Sequence, residues 1–273
     1  MFIMDYIMLP DYHIHTALCR HATGKAIDYK ATAKIRQIPE ICFTDHAPSP
    51  DGYDTRHRMG IEEMPRYKSM VLDLKDGKPP DVMLGIEADY YEGCETFLKK
   101  WLPAHDFDLV LGSVHFIENW GFDNPDERQV WDSVDVTVTW RKYFHIIGKL
   151  ADSGLYDAVA HIDLPKKFGH RPSDKNLKEM VGPALDRIRK ADMGIEINTA
   201  GLHKYVKEIY PSPIILSMAF EREIPICFGS DSHSPDEVGR DFGLALSLAR
   251  QVGYTHYFKI SRRIKALTPL PQI

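Results

Sequence analysis

Six short apolar runs in this chain end on residues that bind metals, and that repetition limits the folds open to it. The endings are His13-Ile-His15, Thr44-Asp45-His46, a lone Glu87, Gly112-Ser-Val-His115, Ala160-His161-Ile-Asp163 and Asp231-Ser-His233. Along a strand, residues i and i+2 point to the same face, so the first and last endings can each present two ligands to one pocket. In an open sheet the outermost strand ends lie far apart, whereas around a barrel of parallel strands they converge on one mouth. Chance supplies two or three such endings among 13 histidines, but not all six.

The rest of the pattern agrees with closure. Strand-like runs fall at 9–15, 40–45, 81–88, 109–115, 158–161, 194–198 and 225–230, and helix-like segments separate them. Residues 26–36 are rich in Ala and Lys, and 61–75 place Met64, Tyr67, Met70, Val71 and Leu74 near helical period. Helical patterns also cover 143–151, 174–191 and 212–221. Ser234-Pro-Asp-Glu237 reads as a cap with a first-turn proline and acids, opening a helix to about 252. Seven βα repeats predict an α/β fold with a parallel sheet and helices outside; an open doubly wound sheet is the alternative. No linker, low-complexity stretch or internal repeat divides the chain. With 273 residues, 44% of them hydrophobic, residues 1–273 read as a single domain with one full core.

One segment breaks the rhythm. Residues 116–139, with Trp140 just beyond, carry Trp120, Phe122 and Trp131, too aromatic for an ordinary solvent loop. It reads either as an excursion packed on the barrel or as a lid over its mouth.

Charge and cysteine content narrow the function. A net charge of -5 disfavours a general nucleic-acid binder, so no nucleic-acid partner is expected. The four cysteines (Cys19, Cys42, Cys94, Cys227) form no CxxC pair and are too sparse for a disulfide scaffold. Cys42 and Cys227 read as core residues, whereas Cys19 stands close to the ligand motifs. Residues 1–5 lack a basic region and a long apolar run follows nowhere, so neither a secretory signal nor a membrane span is expected, and the cytoplasm is the expected location.

Imidazole and carboxylate ligands suit zinc, iron and manganese, while the lack of paired thiolates argues against a structural zinc site. Several cations in one pocket favour a substrate with several anionic oxygens, and a small phosphorylated substrate meets that need. Lys166, Lys167 and Arg171 follow His161 closely and are candidates to hold the phosphate, against the plainer reading of solvated loop charges. Asp231 is a candidate both to bind metal and to shuttle a proton. Asp45 and Asp163 neighbour ligands and are candidates to orient them.

From Asp11-Tyr-His-Ile-His-Thr16 to Gly229-Ser-Asp-Ser-His233 the chain resembles the PHP (polymerase and histidinol phosphatase) superfamily. Glu196-Ile-Asn-Thr-Ala-Gly-Leu202, Tyr210-Pro-Ser-Pro213 and Gly112-Ser-Val-His-Phe116 resemble its histidinol-phosphatase branch. The resemblance implies a distorted (β/α)7 barrel, similar to a TIM barrel. It also implies three divalent ions (Mn, Fe or Zn). His13, His15, Glu87 and Asp231 match ligands of the first, Glu87, His115 and His161 of the second, and His21, His46 and His233 of the third. Glu87 and Asp231 are the implied catalytic residues. The implied reaction is hydrolysis of L-histidinol phosphate to L-histidinol and phosphate, in histidine biosynthesis, by a hydroxide that bridges metals. Trp120, Phe122 and Asp123 are candidates for the cationic end of that substrate, and His203, after Gly201-Leu202, for a further contact. Rival readings are a PHP-type nucleotide phosphatase or nuclease, amidohydrolase chemistry on a similar barrel, and a non-catalytic metal-binding scaffold.

Overall fold

The computed structural model describes residues 9–272, so the reading of residues 1–5 lies outside the described residues. In chain order the strands are β1 (Asp11–Ile14), β2 (Glu40–Phe43), β3 (Asp81–Asp89), β4 (Leu109–Ser113), β5 (Phe116–Ile117), β6 (Trp120–Gly121), β7 (Ala158–Val159), β8 (Gly194–Asn198), β9 (Ile226–Gly229), β10 (His256–Ser261) and β11 (Ile264–Pro269). Seven pair in parallel in the order β1-β2-β3-β4-β7-β8-β9. Beyond β9, Ser232 bridges Ile14: His15 N donates to Ser232 O at 2.9 Å, and Ser232 N to His13 O at 3.2 Å. That stitch returns the last strand to the first. The fold is a nearly closed, TIM-barrel-like α/β barrel, and its seven strands fall within or almost within the seven apolar runs.

Alternation along the strands sorts the core into two layers. Ile41, Phe43, Leu84, Ile86 and Val110 pack outward under the helices. Cys42, Met83, Leu109, Leu111, Ala158 and Cys227 pack inward with Tyr12, and Phe258 and Ile260 of β10 join them. The interior is therefore solid below the ligand layer. Gly85 is required in β3, because a Cβ there would stand 2.6 Å from Cys42 Sγ and 2.7 Å from Thr44 Cγ2. Without a side chain at Gly85, β2 and β3 can close up directly beneath Glu87.

The helices are α1 (Ala26–Ile35), α2 (Met64–Leu72), α3 (Cys94–Trp101), α4 (Val136–Asp152), α5 (Asp174–Lys190), α6 (Pro213–Phe220) and α7 (Phe242–Val252). The α4 helix starts seven residues before the predicted 143 because Asp135 caps it, accepting from Val138 N at 2.9 Å. The predicted continuous helix from 234 is broken instead. A 3-10 turn at Pro235–Glu237 ends before Gly239 (φ 66°) and Asp241 (φ 61°), both left-handed. Gly239 N donates to the buried Asp11 Oδ2 at 2.8 Å, so docking onto β1 outweighs helix continuity here.

The α3 helix and the β5–β6 and β10–β11 hairpins were not read from the sequence. The α3 helix buries Cys94, Leu98 and Trp101, a spacing of four and three that was legible but short. The β10–β11 hairpin turns through Arg262 (φ 49°) and Arg263 (φ 63°) rather than Asn-Gly. Its strained turn is fixed by contacts with the barrel floor: Arg262 N to Asp108 Oδ1 at 3.1 Å, and Arg263 Nε to Asp157 at 3.1 Å.

Candidate metal centre

Every candidate ligand stands at the C-terminal mouth of the barrel. His13 and His15 end β1, His46 follows β2, Glu87 lies in β3, His115 follows β4, His161 follows β7, and Asp231 and His233 follow β9. His21 comes from the loop after the 3-10 turn Ala17–Cys19. His161 (φ 27°) and Asp231 (φ 54°) both adopt left-handed backbone, a strain that non-glycine residues hold only where the surroundings impose it.

Glu87 is the hub. Its Oε2 lies 3.0 Å from His46 Nδ1, 3.3 Å from His13 Nε2 and 3.4 Å from His15 Nε2. Its Oε1 lies 3.1 Å from His161 Nε2 and 3.7 Å from His115 Nε2. Asp231 Oδ1 lies 3.4 Å from His15 Nε2 and 3.7 Å from His13 Nε2, and His233 Nε2 lies 2.9 Å from His21 Nε2. Donor atoms within 4.8 Å of one another form the groups His13/His15/Asp231, His13/Glu87/His161, His46/Glu87/Asp89/His115 and His21/His46/His233. The first and last groups hold residues that the resemblance assigns to the first and third ions. The two middle groups share Glu87, which links all three assignments.

The donor set fits divalent cations. His15 Nδ1, His46 Nδ1 and Glu87 Oε2 are buried and make no hydrogen bond, although nitrogens and carboxylate oxygens face one another at contact distance. Charge is unevenly placed. Burial opposes protonation of His13 and His15, but Glu196, Asp231 and Glu87 around the one, and Asp231 and Asp45 around the other, raise both well above the usual imidazole range. The same contest, won by Asp89, lifts His115 to about 10. His46 goes the other way, to about 4, because burial and the neighbouring imidazoles outweigh Glu87. Burial also opposes ionisation of Glu87 and Asp231, yet the imidazoles hold both well below the usual carboxylate range. The carboxylates thus keep protons on imidazoles, positive charge that bound cations can supply instead.

A second layer aims the rings. Glu196 was not read from the sequence as a site residue, yet it is fully buried in β8 and its Oε1 accepts from His13 Nδ1 at 2.8 Å. Its Oε2 accepts from His161 N at 2.9 Å and Asn198 Nδ2 at 3.0 Å. Gly229 makes room for this contact, since a Cβ there would collide with Glu196 Oε1 and His13 Cβ. Asp89, also missed, accepts from His115 Nδ1 at 2.8 Å and from the buried Arg58 at 2.9 Å. It lies two residues after Glu87 on the same strand face, a spacing that could have revealed it. Carboxylates on the far ring nitrogen fix tautomer and orientation. Asp45 lies 3.6 Å from His15 Nδ1, whereas Asp163 bonds Ser212 N and Lys166 and orients no ligand.

Seven of the nine candidate ligands, all but the buried His13 and His15, floor a cavity of about 510 Å³, walled by His57, Phe116, Asp123, Asn124, Lys167 and Tyr210 among others. Of the predicted substrate contacts, the structure brings Lys167 and Asp123 to this wall, with Lys167 Nζ 2.9 Å from Asp123 Oδ2. Lys166 is fully buried instead, held by Asp163 at 3.0 Å, Glu208 at 2.7 Å and Ile209 O at 2.6 Å. Arg171 bonds the same Glu208 at 3.0 Å, and the half-exposed His203 pairs with Asp241 at 2.6 Å. Trp120 packs on Trp131 with centroids 4.9 Å apart, and Phe122 is buried against Tyr143. Lys204, next to His203, reaches the cavity in its place.

The 116–139 excursion forms one wall rather than a free flap. It folds as the β5–β6 hairpin and a 3-10 segment at Pro125–Asp132. Trp131 is buried, donates to Phe122 O at 2.8 Å and stacks on His170 at 4.9 Å. Arg128 reaches over the Tyr205 ring at 4.2 Å.

Residues 11–200 match the family model described as the PHP domain. The chain belongs to the PHP family. A relative from Deinococcus radiodurans, named a probable histidinol-phosphatase, is 41% identical over 90% of this chain and 94% of its own length. The histidinol-phosphatase of Bacillus subtilis is 28% identical over 84% of this chain and 95% of its own. Among solved structures, the histidinol phosphate phosphatase of Lactococcus lactis, complexed with zinc, L-histidinol and phosphate, superposes with a TM-score of 0.81. That match covers 95% of this chain and 99% of the other at 19% identity, so it speaks to the fold alone.

Proposed function

We propose that this chain, acting as one domain over residues 1–273, is a metal-dependent phosphomonoesterase that hydrolyses L-histidinol phosphate to L-histidinol and phosphate, a step of histidine biosynthesis. The observation that carries the reading is the convergence of the imidazole and carboxylate donors on one barrel mouth, with Glu87 shared by two donor groups and seven ligands on the floor of one cavity. The 41% identity to the Deinococcus radiodurans relative supports the choice of substrate.

Three divalent ions, of manganese, iron or zinc, fit the residues. His13, His15, Glu87 and Asp231 would hold one, Glu87, His115 and His161 a second, and His21, His46 and His233 a third. When bound, such ions make water acidic enough to ionise near neutral pH and neutralise charge on the phosphoryl oxygens. The protein's own groups do the rest. Asp231, kept ionised by its imidazole neighbours, accepts a proton from the attacking water. Lys167, on the cavity wall, meets the phosphate, and its partner Asp123 turns toward the ammonium or imidazole of the alcohol. Phe116 offers that end an aromatic face. Glu196 and Asp89 hold His13 and His115 in place throughout.

Among the described residues no helix is long and apolar enough to cross a membrane. All four cysteines stand free, in keeping with a reducing compartment, and the cytoplasm is the proposed setting.

Steady-state phosphate release from L-histidinol phosphate, set against a panel of nucleoside monophosphates, tests the substrate. The reading expects kcat/KM for histidinol phosphate to lead the panel. A nucleotide leading it instead would overturn the assignment.

A further inference from the structure

One sulfur stands among the imidazoles without a role in the sets assigned above. Cys19 ends the 3-10 turn Ala17–Cys19 and is fully buried. Its Sγ accepts from Ala22 N at 3.2 Å, and its carbonyl oxygen lies 2.8 Å from His21 Nδ1. The chain is thereby wound so that the thiol turns in toward the centre. Sγ, a ring nitrogen of His15 and one of His233 all lie within 4.8 Å of one another. The two rings stack with centroids 4.2 Å apart, which leaves the sulfur beside both.

A second observation is independent of the cysteine. His15 Nδ1 and Asp45 Oδ1 are fully buried, lie 3.6 Å apart, and neither makes a hydrogen bond. Buried polar atoms are rarely left so, and an unpartnered Nδ1 on His15 leaves that ring nitrogen open to a ligand.

We propose that Cys19, His15 and His233 form a mixed sulfur–nitrogen site for a thiophilic divalent cation of the zinc, cadmium or cobalt class, in competition with the sets that share His15 and His233. Thiolate selects soft cations, whereas manganese and magnesium prefer carboxylate oxygen, which here only Glu87 and Asp231 bring to the assigned sets. On binding, the Cys19 S–H bond breaks, the proton leaves to solvent, and the sulfur electron pair goes to the cation. His15 belongs with His13 and Asp231, and His233 with His21 and His46. Occupation of the sulfur site therefore draws one ligand from each of two sets. An excess of soft cation inhibits, and an excess of manganese does not.

This inference rests on the reading that the cluster binds divalent cations, and not on the identity of the phosphate ester. Metal-free protein titrated with cobalt, read in the near ultraviolet, tests it. A sulfur-to-cobalt charge-transfer band is expected in the wild type and is lost in Cys19→Ser. The cadmium concentration that half-inhibits manganese-loaded enzyme should rise at least about tenfold in the same variant. A readout that needs no variant is cadmium NMR of the wild type, where one resonance should fall in the sulfur-ligated range. Cobalt or cadmium bound with no sulfur signature would overturn the proposal while leaving the metal centre standing. No cation bound at all would overturn both.

Discussion

Glu87 and His46 are joined twice: their backbones form a parallel bridge, and His46 Nδ1 lies 3.0 Å from Glu87 Oε2. Glu87 N donates to Asp45 O at 3.0 Å, and Ala47 N to Glu87 O at 2.7 Å. The main chain therefore places the imidazole of the His21/His46/His233 group against the carboxylate that the His13/Glu87/His161 and His46/Glu87/Asp89/His115 groups share. These groups cannot shift independently of one another.

Glu87→Gln keeps the shape and removes the charge. Phosphate release should fall at least about a hundredfold, and bound metal should fall with it. His46→Ala should also lower turnover strongly while leaving more metal bound than Glu87→Gln. Metal content measured beside the rate checks both, and an unchanged rate in His46→Ala would remove the third ion from the mechanism.

Glu196 is fully buried and does not line the cavity, yet its carboxylate holds His13 and the backbone of His161. Glu196→Gln should weaken metal binding about 10- to 100-fold, the usual cost of losing such a partner. An equilibrium metal titration, with thermal unfolding as a control for the fold, reads this. Wild-type affinity in the variant would show that the contact is only packing.

Lys166 and Lys167 are adjacent and should behave oppositely. Lys167→Ala should raise KM and lower kcat/KM about tenfold with little change in unfolding midpoint. Lys166→Ala leaves the buried Asp163 without its cation and should cost about 3–5 kcal/mol in denaturant unfolding. If Lys167→Ala unfolds readily and Lys166→Ala mainly slows turnover, the two lysines have been assigned the wrong way round.

Burial raises the Asp157 carboxyl above its ordinary 3.8, although Arg263 pulls it down. With the folded value above the unfolded one, its contribution to stability is complete below about 3.8 and declines as pH rises through the folded value. Arg263→Ala removes the cation and raises the folded value further. The variant should lose about 1 kcal/mol at neutral pH, a figure kept small because the guanidinium is partly exposed, and less near pH 4. Chemical unfolding at the two pH values checks the sign. A larger loss in acid would contradict it.

The sequence and the structure agree where chemistry is tied to the end of a strand. His13, His46, His115 and Asp231 each follow an apolar run whose alternation decides which way they face, so the floor of the centre was legible. Glu196 and Asp89 were missed because a single acid inside an apolar strand looks the same whether it braces a histidine or closes a core hydrogen bond. Lys166 was misread for another reason. A lysine beside a ligand reads as solvent-facing or substrate-facing, and nothing local announces that Asp163 and Glu208 will enclose it. The break before α7 depends on Asp11, more than 200 residues away. Local caps cannot foresee such a contact.

If one Glu87-linked centre of several ions performs phosphomonoester hydrolysis, turnover should follow metal content when the chelated protein is titrated with metal. Bound ions per chain and phosphate released from L-histidinol phosphate are measured on the same samples. No turnover is expected in the metal-free protein, and the rate should reach its plateau only as the third ion binds. Full turnover with a single ion bound, or none with three, would rule out such a centre.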